Sequence, residues 1–128
     1  MNKLNWLDFD EFISSISKQY KNNYFAGVYG IPRGGLCIAV AISHSLNIPL
    51  LNKPNDNCLI VDDIYETGYT LDKFINLHSS KVHVWVSKKK PTWFKAYKYY
   101  NNNEWIIFPW ENISHAVDDS NLYYQSRK

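Results

Sequence analysis

One stretch of the chain dictates most of what it can become. Residues 58–61, Cys-Leu-Ile-Val, are apolar without a break and run directly into two aspartates, Asp62 and Asp63. A short run with no polar face suits a strand covered on both sides, the condition of inner strands in a parallel sheet. Such a strand would carry two adjacent carboxylates to its exposed end. Glu66 follows, and then Thr67-Gly68-Tyr69-Thr70 leads into a segment whose pattern predicts a helix over residues 69–77.

The rest of the chain alternates in the same style. Leu7, Phe9, Phe12, Ile13, Ile16 and Tyr20 fall at helical spacing, and Asp8 with Glu11 opens that helix as a D-x-x-E capping box. Residues 24–29 and 48–51 read as short strands, 82–86 as a fourth, and the Ala-containing stretch 36–46 as a helix lying on a sheet. Strands alternating with helices specify an α/β domain with a mainly parallel sheet. Beyond Ser87 the pattern weakens into a lysine- and aromatic-rich segment, residues 88–100, then residues 105–110 and a polar tail.

Composition narrows the class. A chain of 128 residues with 45% hydrophobic content supports one domain with one core. Its net charge of +2 does not provide the dense basic face that a nucleic-acid backbone requires. Of its 14 basic residues only Arg33 and Arg127 are arginines, Arg127 lying in the polar tail, so an anion site built from many guanidinium forks is excluded. Cys37 and Cys58 sit in apolar runs and read as free, buried thiols. The four histidines are scattered without metal-ligand spacing and read as structural or surface residues. Asp8, Asp10 and Glu11 occupy the place of a signal peptide's apolar stretch, and the longest apolar run, residues 36–42, is far short of a membrane span. The expected location is the cytoplasm. An aromatic content of 16% and the Tyr123–Tyr124 pair suggest a self-associating surface, hence a homo-oligomer, with a dimer the simplest form.

In open α/β sheets, ligands bind beyond the carboxyl ends of the strands, and two segments are placed there. In the loop Gly30-Ile31-Pro32-Arg33-Gly34-Gly35, two glycines let backbone approach a ligand while Arg33 offers a fork of donors. This outlines an anion site; a glycine-rich turn with a surface arginine accounts for the loop equally well. The second segment, residues 59–71, is more specific. Asp62 and Asp63 are suited to accept from vicinal hydroxyls or to hold a hydrated Mg²⁺. Thr67, Gly68, Tyr69 and Thr70 are suited to offer backbone N–H groups and hydroxyls to a phosphate at a helix start. Acids for a sugar beside a nest for its phosphate describe a phosphorylated ribose.

The string Leu59-Ile60-Val61-Asp62-Asp63-Ile64-Tyr65-Glu66-Thr67-Gly68-Tyr69-Thr70-Leu71 resembles the ribose-phosphate signature of type I phosphoribosyltransferases. Residues 30–35 resemble the pyrophosphate loop of that family, and Trp105-Ile106-Ile107-Phe108-Pro109-Trp110-Glu111 resembles the base-binding segment of its short xanthine/hypoxanthine/guanine branch. The resemblance spans residues 9–111 and implies a single phosphoribosyltransferase-like domain over 1–128, with a core over about 6–87 and a base-binding segment over about 88–128. It implies transfer of the phosphoribosyl group from phosphoribosyl pyrophosphate to a 6-oxopurine, with Mg²⁺ as cofactor. Arg33 and Gly34 would then bind pyrophosphate, while Asp62 and Asp63 bind the ribose hydroxyls, Asp63 being the closer to the metal. Glu66 would stand near the purine imidazole nitrogen, residues 67–70 would hold the 5′-phosphate, Trp105 would stack on the base and the Ile106 backbone would read its edge. Lys90, with Lys88 as competitor, would donate to the 6-oxo group.

One departure matters. The family carries a long mobile loop between its second and third strands, whereas only residues 52–57 separate Leu51 from Cys58. Residues 88–100 are the expected substitute cover. The alternative reading is a phosphoribosyl pyrophosphate- or nucleotide-binding regulatory module with little turnover. A third, a small nucleic-acid-binding protein, would use the same basic aromatic segment on single strands.

Overall fold

The computed structural model describes residues 1–77, 80–101 and 103–126, without the side chains of Tyr123 and Ser126. The expectations for His78, Arg127 and Tyr123 fall outside what is described. The chain divides into two compact units, residues 12–101 and residues 1–11 with 102–128.

The larger unit is built on a parallel sheet of five strands: β2 (Val28–Gly30), β3 (Leu50–Leu51), β4 (Leu59–Tyr65), β5 (Lys81–Ser87) and β6 (Lys95–Tyr99). Their spatial order is β3-β2-β4-β5-β6. Helix α1 (Trp6–Tyr20) ends in this unit, and α2 (Gly34–Leu46) connects β2 to β3. Helix α2 buries Gly35, Ile38, Ala39 and Ile42 along one stripe, the three- and four-residue spacing of a helix on a sheet. It stops where Asn47 takes the left-handed conformation, φ 52°, a C-terminal device asparagine tolerates. From α1, Phe12 is fully buried and stacks on Trp85 of β5, centroids 5.5 Å apart and 4° from coplanar. The opposite face of the sheet is closed by Ile31, Ile60, Val82 and Val84 with Leu71 and Phe94, and by the half-buried Phe74, Leu77 and Trp93.

The smaller unit pairs β1 (Asn2–Lys3) with β7 (Ile106–Ile107) in parallel and adds α3 (Ile113–Ser126). Leu4, Phe9, Ile106, Ile107, Phe108 and Ala116 are its buried apolar residues. Phe108 and Trp110 stack 5.3 Å apart, and the N-terminal ammonium lies 2.6 Å from Glu104.

Several expectations change. The box opening α1 sits one turn earlier than expected: the Asp8 N–H donates to Asn5 Oδ1 at 2.8 Å and the Asn5 N–H to Asp8 Oδ2 at 2.9 Å. The expected strands 24–29 and 48–51 shorten to β2 and β3, while the third runs four residues past Val61, so Asp62 and Asp63 lie within β4. The helix expected over 69–77 is one 3₁₀ turn, Asp72–Phe74, because Leu71, Phe74 and Leu77 recur every three residues and reach the core without an α-helix. Part of the segment expected to cover the site belongs to the sheet: β6 pairs with β5, His83 beside Lys95 and Val86 beside Lys98, so residues 95–99 are not free to act as a lid, while residues 88–94 lie outside the strand. The polar tail contains α3. Both cysteines are free, Cys58 buried and Cys37 half-buried. His83 is buried, and His44 and His115 are exposed. Among the described residues no helix is long and apolar enough to cross a membrane.

Candidate active site

The sheet order places the switch point between β2 and β4, since β2 leads outward to β3 on one side while β4 leads to β5 on the other. Loops leaving the ends of two such strands diverge and open a crevice. Here they are residues 31–33 and 66–71, the two segments the sequence singles out.

The first loop is held close against β4. The Ile31 N–H donates to the Val61 carbonyl at 3.0 Å, and Gly35 N–H donates back to the Ile31 carbonyl at 2.8 Å. The peptide between Pro32 and Arg33 is cis, and Arg33 is exposed just ahead of α2. A Cβ on Gly35 would lie 2.5 Å from the Val61 carbonyl oxygen and 3.2 Å from Asp62 Cα. A Cβ on Gly34 would fall on the Asp63 carboxylate. The paired glycines are thus what lets this loop and the aspartates of β4 occupy one place.

Asp62 is 8% exposed, and its Oδ1 accepts the Asp63 N–H at 2.9 Å. Burial, and then the neighbouring charge of Asp63, push Asp62 well above the usual carboxylate range. Burial also raises Asp63. Among the described residues no Lys, Arg or His forms an ion pair with either. No group of three or more His, Cys, Asp or Glu able to cage a metal occurs among the described residues. Two carboxylates without a cation fit Mg²⁺, which keeps several waters and takes further oxygens from substrate phosphates; they do not make a protein-only cage.

Beyond β4, Glu66 is half-buried, and Thr67, Tyr69 and Thr70 are exposed, Tyr69 at 93%. Thr67 Oγ1 accepts the Tyr69 N–H at 3.3 Å. Gly68 has φ +84°, a conformation that explains the glycine. The turn of backbone expected from T-G-x-T is present, but the α-helix expected behind it is not.

Lys88 and Lys90 lie in the β5–β6 connection. The Lys88 N–H donates to the Tyr65 carbonyl at 2.8 Å, which ties this connection to the end of β4; Lys90 is exposed. Trp105 and Ile106 belong to the smaller unit. The Trp105 N–H donates to the Tyr124 hydroxyl at 2.8 Å, and Ile106 stands beside Asn2 in the β1–β7 pair.

Sequence reading missed Tyr65 and Asp72. The Tyr65 hydroxyl donates to Asp72 Oδ1 at 2.8 Å, an i, i+7 contact across a turn that neither helical nor strand periodicity announces.

Fold and switch-point site together define a class, the type I phosphoribosyltransferase-like α/β fold. A purine phosphoribosyltransferase from Pyrococcus horikoshii Ot3 superposes with a TM-score of 0.72 at 25% identity, over 87% of this chain and 94% of that one. The xanthine-guanine-hypoxanthine phosphoribosyltransferase of Helicobacter pylori gives 0.69 at 16% identity, over 92% and 98%. A hypothetical protein from Neisseria gonorrhoeae with bound ppGpp gives 0.63 at 16% identity, over 99% and 98%. No protein-family model matches the sequence, and no curated protein matches it.

Proposed function

We propose that this chain is a phosphoribosyltransferase that moves the 5-phosphoribosyl group from phosphoribosyl pyrophosphate to a 6-oxopurine, releasing pyrophosphate. The observation that carries this reading is the meeting of Gly34 with the Asp63 carboxylate at the switch point, where the loop we assign to diphosphate lies against the strand end we assign to ribose. Similarity to solved purine phosphoribosyltransferases supports it.

Arg33 and the backbone at Gly34 bind the pyrophosphate, and the guanidinium stabilises charge that grows on it as the anomeric bond breaks. Asp62 and Asp63 accept from the ribose hydroxyls. Backbone N–H groups of residues 67–70 hold the 5′-phosphate. The purine nitrogen attacks the face opposite the leaving group, inverting the anomeric carbon. Glu66 orients the base and takes the imidazole proton, Lys90 or Lys88 donates to the 6-oxo group, and Trp105 and Ile106 supply the stacking surface and the edge contact. Asp63 and Asp62 would hold Mg²⁺, which would supply further positive charge for the leaving pyrophosphate. With this activity go a cytoplasmic location, a place in purine salvage and a dimeric assembly.

The test is release of pyrophosphate from phosphoribosyl pyrophosphate with guanine, xanthine, hypoxanthine and adenine in turn. Release with a 6-oxopurine is expected, and Asp63→Asn should lower it at least about 100-fold while leaving the circular dichroism spectrum unchanged. Release with none of the four bases overturns the reading.

A second reading, a nucleotide-binding regulatory module without efficient turnover, is favoured by the seven residues, 52–58, that join β3 to β4. So short a connection makes no lid, and a ribosyl cation open to water is poorly protected. The Neisseria gonorrhoeae neighbour with bound ppGpp has the same fold. This reading predicts that a nucleotide or phosphoribosyl pyrophosphate stabilises the protein against heat while no product forms.

A further inference from the structure

The loop proposed to hold the 5′-phosphate lacks the support such loops ordinarily have. A phosphate nest normally leans on the first turn of a helix, whose aligned peptides keep the N–H groups aimed at the anion. Here a three-residue 3₁₀ turn follows, too short for that purpose. The conformation of residues 66–70 has to be held by other means, and the structure contains a specific one.

The Tyr65 side chain, 8% exposed, stacks on Phe94 with centroids 4.1 Å apart and planes 24° from parallel. Its hydroxyl donates to Asp72 Oδ1 at 2.8 Å, and the Asp72 N–H donates to the Gly68 carbonyl at 2.8 Å. Tyr65 precedes the loop and Asp72 follows it, so one side-chain bond closes the segment and one backbone bond fastens its middle. A Cβ on Gly68 would strike both the Tyr65 hydroxyl and the Asp72 carboxylate, which places the pair directly against the apex of the turn. Two further contacts fix the frame: Leu71, only 2% exposed, is sunk in the core, and the Lys88 N–H holds the Tyr65 carbonyl at 2.8 Å. Burial, with the Asp72 carboxylate beside it, holds the phenol above its ordinary pKa, so it remains a donor.

We propose that Tyr65 and Asp72 are positioning residues for the 5′-phosphate loop, a side-chain brace standing where a helix would otherwise order it. The proposal rests on the phosphoribosyl reading of the site and concerns one half of it, so the two halves provide the control. Ribose 5-phosphate probes the braced loop; inorganic pyrophosphate probes the Arg33 loop.

The experiment is calorimetric titration of each, with Mg²⁺ present, into wild type, Tyr65→Phe, Asp72→Ala, Asp72→Asn and the Tyr65→Phe/Asp72→Ala double variant. Phenylalanine keeps the stack on Phe94 and loses only the hydroxyl. Tyr65→Phe and Asp72→Ala should each weaken ribose 5-phosphate roughly tenfold, and the double variant no further, because both remove one bond. Asp72→Asn keeps an acceptor for the phenol and should stay within about threefold of wild type. Pyrophosphate affinity should hold within about twofold throughout. Unchanged ribose 5-phosphate affinity in Tyr65→Phe overturns the brace and leaves the site reading standing. Equal loss of both ligands also overturns it, since that is the mark of general destabilisation. Should Tyr65→Phe fail to fold, the comparison of Asp72→Ala with Asp72→Asn decides alone. Failure of wild type to bind ribose 5-phosphate overturns the site reading and the brace with it.

Discussion

At the scale of single residues, the site is held together by what Gly34 lacks. Alanine there would put a methyl group on the Asp63 carboxylate, and either the loop or the acid would have to withdraw. Gly34→Ala should therefore cost roughly tenfold or more in pyrophosphate affinity with the fold retained, measured by titration beside circular dichroism. His83 makes a different kind of prediction. It is 4% exposed, meets the Tyr20 hydroxyl at 3.1 Å through Nδ1, and is held down to about 4, first by burial and then by the charge of Lys95. The unfolded chain, with an ordinary histidine, takes up that proton near pH 6.5, whereas the folded chain resists until about 4. Stability from this residue is intact above pH 6.5 and is lost as pH falls towards 4, by roughly 3 kcal/mol. Denaturant melts of wild type and His83→Gln at neutral and acid pH should differ by that amount, wild type losing more on acidification. The residues that made the site legible were those whose chemistry is stated by type and spacing, Asp62, Asp63, Gly34 and Gly68. Tyr65 and Asp72 were not legible, because their bond depends on the path of a turn.

Elements were legible where one periodicity dominated. The inner strands β4 and β5 announce themselves by unbroken apolar runs, and α1 by its stripe. The core that stripe builds is testable: Phe12→Ala removes a fully buried ring stacked on Trp85 and should cost about 3–5 kcal/mol in equilibrium unfolding. One strand was cut short, and β6 and α3 were among the elements that escaped, each for a physical reason. Strand β4 was underestimated because aspartates are poor strand formers, yet Asp62 pairs with Val84 as part of the ladder. Strand β6 carries Lys95 and Lys98 on an exposed edge, the composition that protects an edge from further pairing and that reads as a loop. Among its described residues helix α3 buries Ala116 and Ser120, four residues apart, and small side chains of this kind leave little hydrophobic signature.

For the whole molecule, a modest net charge is compatible with the proposed anion site, which would use one exposed guanidinium, backbone N–H groups and a divalent cation held by two acids. Phosphoribosyl pyrophosphate with Mg²⁺ at about 100 times its dissociation constant should add about 2.7 kcal/mol to stability, a rise on the order of 10 °C in Tm by scanning fluorimetry. That shift should disappear in Asp63→Asn. The parallel topology carries a consequence for how the chain acquires its shape. None of the neighbouring strand pairs in the five-stranded sheet is a hairpin, and Val28 meets Leu59 only after α2 and β3 have been laid down between them. Closing such separations is slow, and the two loops proposed to bind ligand are suspended from the strands that this closure brings together. During synthesis or refolding, helical signal will therefore precede the ability to recognise ligand. A nascent chain released before Tyr65 has emerged will possess the glycine loop without its partner, half of the proposed recognition site waiting on the strand that completes it.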